Sequence, residues 1–401
     1  MPIMMPHDLP PLPRPEPGRR WINSSTSRRG WSRISRYIKC PRYYAFNLEK
    51  SLKDAAKREE VARRIEEGLP ALPVSVLDVE DQEKRGTGKG SLGHEMQSHY
   101  WARLGACDNP VFVGMNEGTI RIDDPDALYE PEDAAYMMAE SVGTLHFLSD
   151  MRRTFRSWQT DCHPGIFGSV VAIEVEMTLV LGYLNGQYGL WLQEEPWFEE
   201  AGLKGNPVDL TEDTLGWTNV GNTHGIFGTI YPILLNVPGH PEHGQPITLT
   251  RRIDLIMRQG NQLKFWDHKH VHPNYMDTAT SCRRYAVDGG FAAMVAIGMQ
   301  AGDFNPEDGM MIHNVARMDA PYSRPTRVET GAVICGARVL NDLPGLVEKH
   351  EHNMARDYLT AIQNQTAFDP FKYEARHLEA GACVGHYGKN DECAFMSRCT
   401  F

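Results

Sequence analysis

The clearest alternation of apolar and polar positions lies between residues 251 and 269, RRIDLIMRQGNQLKFWDHK. Residues 253–257 are apolar except for Asp254, and 262–267 put Leu263, Phe265 and Asp267 on one face and Gln262, Lys264 and Trp266 on the other. This period of two predicts a pair of strands, and Gly260-Asn261 suits the two-residue turn between them. Residues 170–181, VVAIEVEMTLVL, predict another strand, with Glu174 and Glu176 on one face. Helical spacing governs much of the rest. A helix capped by Ser32 carries Ile34, Tyr37 and Ile38 and should end or kink at Cys40-Pro41. Residues 49–67 read as an exposed helix, 69–85 as a loop, and 86–104 as a helix whose stripe is Leu92, Met96, Tyr100 and Leu104, with His94 off the stripe. Further helices are expected over 134–157, 281–301 and 343–363, the last with Asp342 as its cap and Pro344 in its first turn. A polar loop should follow Lys269, and 310–317 and 327–335 read as strands. The fold class expected is α/β.

Two stretches interrupt this pattern. Residues 183–248 are rich in Gly, Pro, Asn and aromatics, and read as a β-rich insertion on the sheet that covers a substrate channel. Residues 1–30 are expected to be a flexible arm rich in Pro and Arg, leaving 31–401 as one domain. The start has no apolar signal-type region, and nothing is apolar enough to span a bilayer. Eight cysteines without such a signal point to a reducing compartment, hence a cytoplasmic location. The net charge of −11 argues against a generally basic coat. Basic residues are instead concentrated: no acidic residue lies between Glu16 and Glu49, while Arg19, Arg20, Arg28, Arg29, Arg33, Arg36, Lys39 and Arg42 do. Aromatics interleave with them, which fits contacts to phosphates and bases and equally fits an amphipathic helix with a solvated basic face.

Asp254, Asp267 and Lys269 carry the candidate chemistry. Asp267 and Lys269 share a face, and a paired strand brings Asp254 close to both. Two carboxylates supply hard oxygen ligands for Mg²⁺ or Mn²⁺, and a lysine beside them steadies developing charge. The bland alternative is a surface hairpin closed by a salt bridge. The order of motifs resembles the PD-(D/E)XK nuclease superfamily, with Ile253-Asp254 on one strand and Asp267-His268-Lys269 on the next. It resembles in particular the RecB-like exonucleases, including those of phages. The run SRIxxYxxCPRYY at residues 32–44 looks like their opening, and Gly90-x-x-x-His94 looks like their G-x-x-x-H motif. The Pro of the superfamily signature is absent, as is the Gln and Tyr pair usual on the following helix, where Asp288-Gly289-Gly290-Phe291 stands.

The resemblance implies a restriction-endonuclease-like core with a mixed central sheet. It implies His94, Asp254, Asp267 and the carbonyl of His268 as metal ligands, Lys269 and Glu174 as further catalytic residues, and DNA as substrate. Arg33, Arg36, Arg42, Arg283, Arg284 and Tyr285 are the candidate DNA contacts, with recombination or replication proteins as further partners. The end of the chain adds Cys383, Cys393 and Cys399 in a C-x9-C-x5-C spacing, where the family has C-x2-C-x5-C. With Cys40 these resemble the one-plus-three ligand set of a 4Fe–4S cluster, and four thiolates also suit Zn²⁺. The expected activity is a Mg²⁺/Mn²⁺-dependent deoxyribonuclease, an exonuclease in recombination, repair or end processing. The rivals are an inactive DNA-binding or assembly subunit of the same fold, and a structural protein built on a four-cysteine zinc site.

Overall fold

The alternation around Asp254 forms the middle of a sheet. The computed structural model describes residues 18–22, 27, 29–67, 85–162, 168–204, 218–220, 228–272, 277–317, 326–362 and 368–374. In chain order the elements are α1 (Trp31–Lys39), α2 (Pro41–Glu66), α3 (Arg85–Asp108), β1 (Val111–Met115), β2 (Gly118–Ile122), α4 (Pro131–Val142) and α5 (Leu145–Ser157). Then come β3 (Ser169–Leu184), β4 (Gln187–Leu192), β5 (Thr218–Val220), β6 (Gly228–Pro232), β7 (Thr248–Gln259) and β8 (Gln262–Val271). The rest are α6 (Thr278–Tyr285), α7 (Gly289–Ala301), β9 (Met310–Ala316), β10 (Val328–Val333) and α8 (Ala337–Ile362).

The sheet runs β10-β9-β8-β7-β3-β1-β2, with β4 and β6 also on β3 and β5 on β6. Strand β8 is parallel to β9 and β1 to β3, while the other pairs are antiparallel. The fold is therefore α/β, with a mixed, open sheet flanked by helices. Two apolar cores flank β7, and its alternation holds from Leu255 to Met257 and breaks at Asp254. Ile253 and Ile256 join Val175, Met177, Met294 and Val347 in one. Leu255 and Met257 join Ile173, Leu92, Met96 and Met151 in the other. Among the described residues, no helix is long and apolar enough to cross a membrane.

Several boundaries differ from the expectation. The helix expected over 134–157 is two helices, α4 and α5, separated at Gly143-Thr144. That over 281–301 is also two, because Asp288 starts a new helix by accepting the amides of Gly290 and Phe291 at 2.8 and 3.2 Å. Helix α1 starts after Gly30, so Ser32 lies inside it and caps nothing. Helix α8 begins at Ala337, which puts Asp342 and Pro344 in its interior. Asp342 there pairs with Arg338 at 3.7 Å, one turn earlier. The polar stretch after Lys269 stays in β8 through Val271. Residues read as an insertion, among them Leu190, Leu192, Trp197, Phe198, Leu235 and Val237, are buried in the first core.

The described part of the expected arm is docked. Arg20 bridges to Leu128 in a parallel sense, and Ile22 is fully buried. Gly30 bridges to Thr250 on β7. From there α1 packs its basic residues inwards as well as outwards. Arg33 pairs with Glu351 of α8, with side chains 17% and 10% exposed. Arg42 donates to the carbonyls of Tyr373 and Phe371 at 3.1 and 3.3 Å. Breaking a buried pair from one side strands a charge, at a cost of about 3–5 kcal/mol. Glu351→Ala should therefore lower the unfolding free energy by about 3 kcal/mol in a urea titration. The double variant Arg33→Met, Glu351→Leu should recover most of that loss. Equal stability of Glu351→Ala and the parent protein would rule out a buried pair.

Candidate metal centre

Four elements converge beside the centre of the sheet: α3, β3, β7 and β8. Helix α3 lies close to β8 because Gly93 faces the ring of His270. A Cβ at position 93 would stand 2.5 Å from that imidazole. His94 comes next on the helix and Ser98 one turn later. In the β3–β7 register Ile173 pairs with Leu255 and Val175 with Ile253, which sets Glu174 opposite Asp254. The β7–β8 ladder runs from Gln259–Gln262 to Leu255–Trp266 and stops there. One residue beyond, the Asp254 carboxylate accepts the backbone amide of His268 at 2.7 Å. A side chain thus replaces the missing rung. Strand β8 continues with β9, and the edge of β7 is met at Thr250 by Gly30.

His94 lies between the acidic groups. Its Nδ1 is 3.2 Å from Glu174 Oε1, and its Nε2 is 3.1 Å from both Asp254 Oδ2 and the His268 carbonyl. Ligand atoms of His94, Glu174 and Asp254 all fall within 4.8 Å of one another. Asp267 stands outside that group. Its Oδ2 is 2.6 Å from Lys269 Nζ, so the two share a face as the strand period requires. The structure thus brings together His94, Glu174, Asp254 and the main chain of His268, with the Asp267–Lys269 pair on the next strand.

The charges are interdependent. Burial opposes ionisation of Asp254, but His94 and then Lys269 outweigh it and hold the carboxyl below its usual range. Burial likewise disfavours the cation on His94, and Asp254 followed by Glu174 raises its pKa well above the normal imidazole value. Glu174 is pushed up by burial, with His94 partly offsetting. Asp267 is pushed up by burial against the pull of Lys269. Burial works against the charge on Lys269, yet Asp267 and Asp254 raise its pKa, so it stays an ammonium. Burial, and then His313, drive His268 well below the usual value, so its ring is neutral.

The donor set fits a hard divalent cation. Two carboxylates, a backbone carbonyl and one imidazole come together, with Asp254 and the His268 carbonyl at Nε2 of His94 and Glu174 at its Nδ1. One nitrogen ligand among oxygens shifts the preference modestly from Mg²⁺ towards Mn²⁺. His94 is 26% exposed, Asp254 12% and Lys269 35%, so the centre is reached from their side.

The other expected site residues are scattered. Arg36, Arg283 and Arg284 are exposed, while Arg33 and Arg42 face inward. Tyr285 stacks on Phe291 with ring centres 4.4 Å apart and is close enough to Lys269 to act on its charge. Cys40 is a buried free thiol where α1 meets α2. Cys383, Cys393 and Cys399 lie outside the described residues. Ser98 and Arg252 were not singled out by the sequence. Ser98 Oγ donates to Glu174 Oε1 at 2.7 Å, and Arg252 Nη1 to the Glu174 carbonyl at 3.2 Å. The only signal for Ser98 was its place four residues after His94. Compared with family models, curated proteins and solved structures, the chain matches none.

The proton on His94 predicts a pH dependence. A cation that takes the imidazole as a ligand must displace that proton, so its binding releases H⁺. Apparent Mn²⁺ affinity should rise with pH, by up to about tenfold per unit, until His94 is neutral. In the metal-free protein the sign is opposite. The raised His94 pKa contributes stability that is complete below the unfolded value of about 6.5. It is lost as pH rises through the folded value. Calorimetric titration in buffers of different ionisation enthalpy measures the proton released, and a count of zero would exclude His94 as a ligand.

Proposed function

We propose that this chain is a metal-dependent deoxyribonuclease of the PD-(D/E)XK type, most similar in plan to RecB-like exonucleases. The observation that carries the reading is the end of the β7–β8 ladder. There Asp254 and the His268 main chain meet His94 and Glu174, beside the Asp267–Lys269 pair. A Mg²⁺ or Mn²⁺ held by His94, Glu174, Asp254 and the His268 carbonyl would supply Lewis-acid activation of the phosphate and of water. The protein's own groups do the rest. Asp254 is fixed by the His268 amide, so its carboxylate needs no reorganisation when the cation binds. Lys269 is kept protonated by two carboxylates, which makes it a hydrogen-bond donor and charge stabiliser instead of a base. Asp267 holds that ammonium in place. Exposed Arg283 and Arg284 on α6, with Tyr285 near Lys269, are the proposed DNA contacts.

A four-cysteine centre belongs to the same reading. Glu374 accepts the backbone amide of Arg42 at 3.0 Å, two residues after Cys40. The remaining 27 residues, with Cys383, Cys393 and Cys399, therefore start beside Cys40. A 4Fe–4S cluster, or Zn²⁺ on the same thiolates, would tie that tail to the α1–α2 joint.

Two experiments test these proposals. Asp254→Asn and Lys269→Ala should each lower Mn²⁺-dependent cleavage of an end-labelled oligonucleotide, by about 10²–10³-fold for Lys269. DNA binding should persist in both. Near-parental cleavage by either variant would remove that residue from the chemistry, and binding without cleavage by the parent protein would favour an inactive DNA-binding subunit. For the cysteines, anaerobically purified protein should be brown, and Cys399→Ala should lose the colour whereas Cys335→Ala keeps it. Colourless protein with about one Zn²⁺ per chain would replace the cluster with zinc. Metal-free protein with all four thiols reactive would exclude both.

A further inference from the structure

Glu174 has a backbone that a strand residue rarely adopts. It lies in the middle of β3 with φ of 51°, in the left-handed region. For a side chain with a Cβ this conformation is strained, and such strain persists only where the surroundings over-determine it. Here three contacts do so, each from a different element. From α3, Ser98, itself 2% exposed, shares its hydroxyl between Glu174 Oε1 at 2.7 Å and the His94 carbonyl at 2.9 Å, the shorter contact being to Glu174. From β7, Arg252 Nη1 holds the Glu174 carbonyl at 3.2 Å, and its Nη2 also approaches Glu176 at 3.9 Å. On β1, Gly114 makes room: a Cβ there would collide with the Glu174 carbonyl oxygen. The carbonyl therefore points at a neighbour that can only be glycine, and the carboxylate turns to His94.

A regular strand would not need any of the three. An extended Glu174 would leave the Gly114 position open to other residues and would put a buried carboxylate, 1% exposed, elsewhere in the sheet. The strained turn and the Ser98 bond serve one outcome, a carboxylate within 3.2 Å of His94 Nδ1 and opposite Asp254.

We infer that Ser98 and Gly114 are positioning residues that hold Glu174 in a strained conformation so that its carboxylate completes the cation site with His94 and Asp254. This rests on the metal-binding reading above. The inference concerns how the ligand is held, and it assigns to α3 a second role after His94 and to β1 a role that lies outside the Asp and Lys motif.

The test is Mn²⁺ binding, followed by electron paramagnetic resonance of free Mn²⁺ and by the Mn²⁺-induced rise in melting temperature, without any nuclease assay. Removing an outer-shell partner of a metal ligand typically weakens affinity about 10–100-fold. Ser98→Ala and Gly114→Ala should each fall in that range. Ser98→Ala in a Glu174→Gln background should add nothing further, because the two act through one carboxylate. A purely structural serine would instead lower the metal-free melting temperature by the same amount in both backgrounds and leave the Mn²⁺ affinity untouched, which would overturn the inference. If Gly114→Ala does not fold, the Ser98 cycle alone decides. Failure of the parent protein to bind Mn²⁺ would overturn the metal reading itself, whereas strong parental binding with an unaltered Ser98→Ala would overturn only this one.

Discussion

The site depends on one hydrogen bond, the 2.7 Å contact from the His268 amide to the Asp254 carboxylate. A buried amide left without a partner costs roughly 1–3 kcal/mol. Where β7 and β8 part, His268 would be such an amide. Asp254 satisfies it from a side chain, and three consequences follow together. The strands can separate without an orphan donor, the carboxylate is locked, and the His268 carbonyl comes to His94. Anchoring of His268 reinforces this. Its neutral ring is buried against His313, with ring centres 5.3 Å apart, and His313 accepts the Trp158 indole at 2.8 Å.

Electrostatics then decide what the site can hold. Glu174, Asp254 and Asp267 stand around His94 and Lys269, with Arg252 also acting on Glu174 and Arg251 on Asp267. His94 lies between Glu174 and Asp254, and both favour its protonated form. On the proposed reading, the imidazolium stands where a divalent ion would bind. Exchange of the proton for that ion would leave Lys269 to meet negative charge on a substrate. Its raised pKa fits that use.

The sequence made the hairpin legible because the alternation is local. Gly260-Asn261, Asp267 and Lys269 follow from a period of two, and the structure places them as that period requires; at Asp254 the period breaks, with Ile253 and Leu255 in different cores. The α/β class was legible for the same reason. Helix ends were not. Asp288 restarts a helix by side-chain capping, and Pro344 stays inside α8, where packing of Leu343 and Val347 outweighs the proline. The stretch 183–248 looked peripheral because its composition is that of loops, yet Trp197 and Phe198 fill the main core. Glu174 was found as a strand residue, but its left-handed φ and its support by Ser98 are tertiary properties that no local pattern encodes. The partner of Arg33 is hidden from the sequence for a related reason. Charge density along the chain says nothing about which charges have partners, and Glu351 lies 318 residues from Arg33.

That inward turn bears on where a nucleic acid can lie. The basic stretch after Gly18 holds Gly30 on β7, Arg33 on α8 and Arg42 on the segment before Glu374. It works as a clasp between the two ends of the described chain. Arg29, Arg33 and Arg42 are engaged there, while Arg20, Arg36 and Lys39 stay exposed. A chain of net charge −11 then needs its attraction to phosphate to be local. The exposed pair Arg283 and Arg284 lies on α6, the element whose last residue, Tyr285, reaches the charge on Lys269. A strand that lay along α6 would meet these two arginines and then the ammonium.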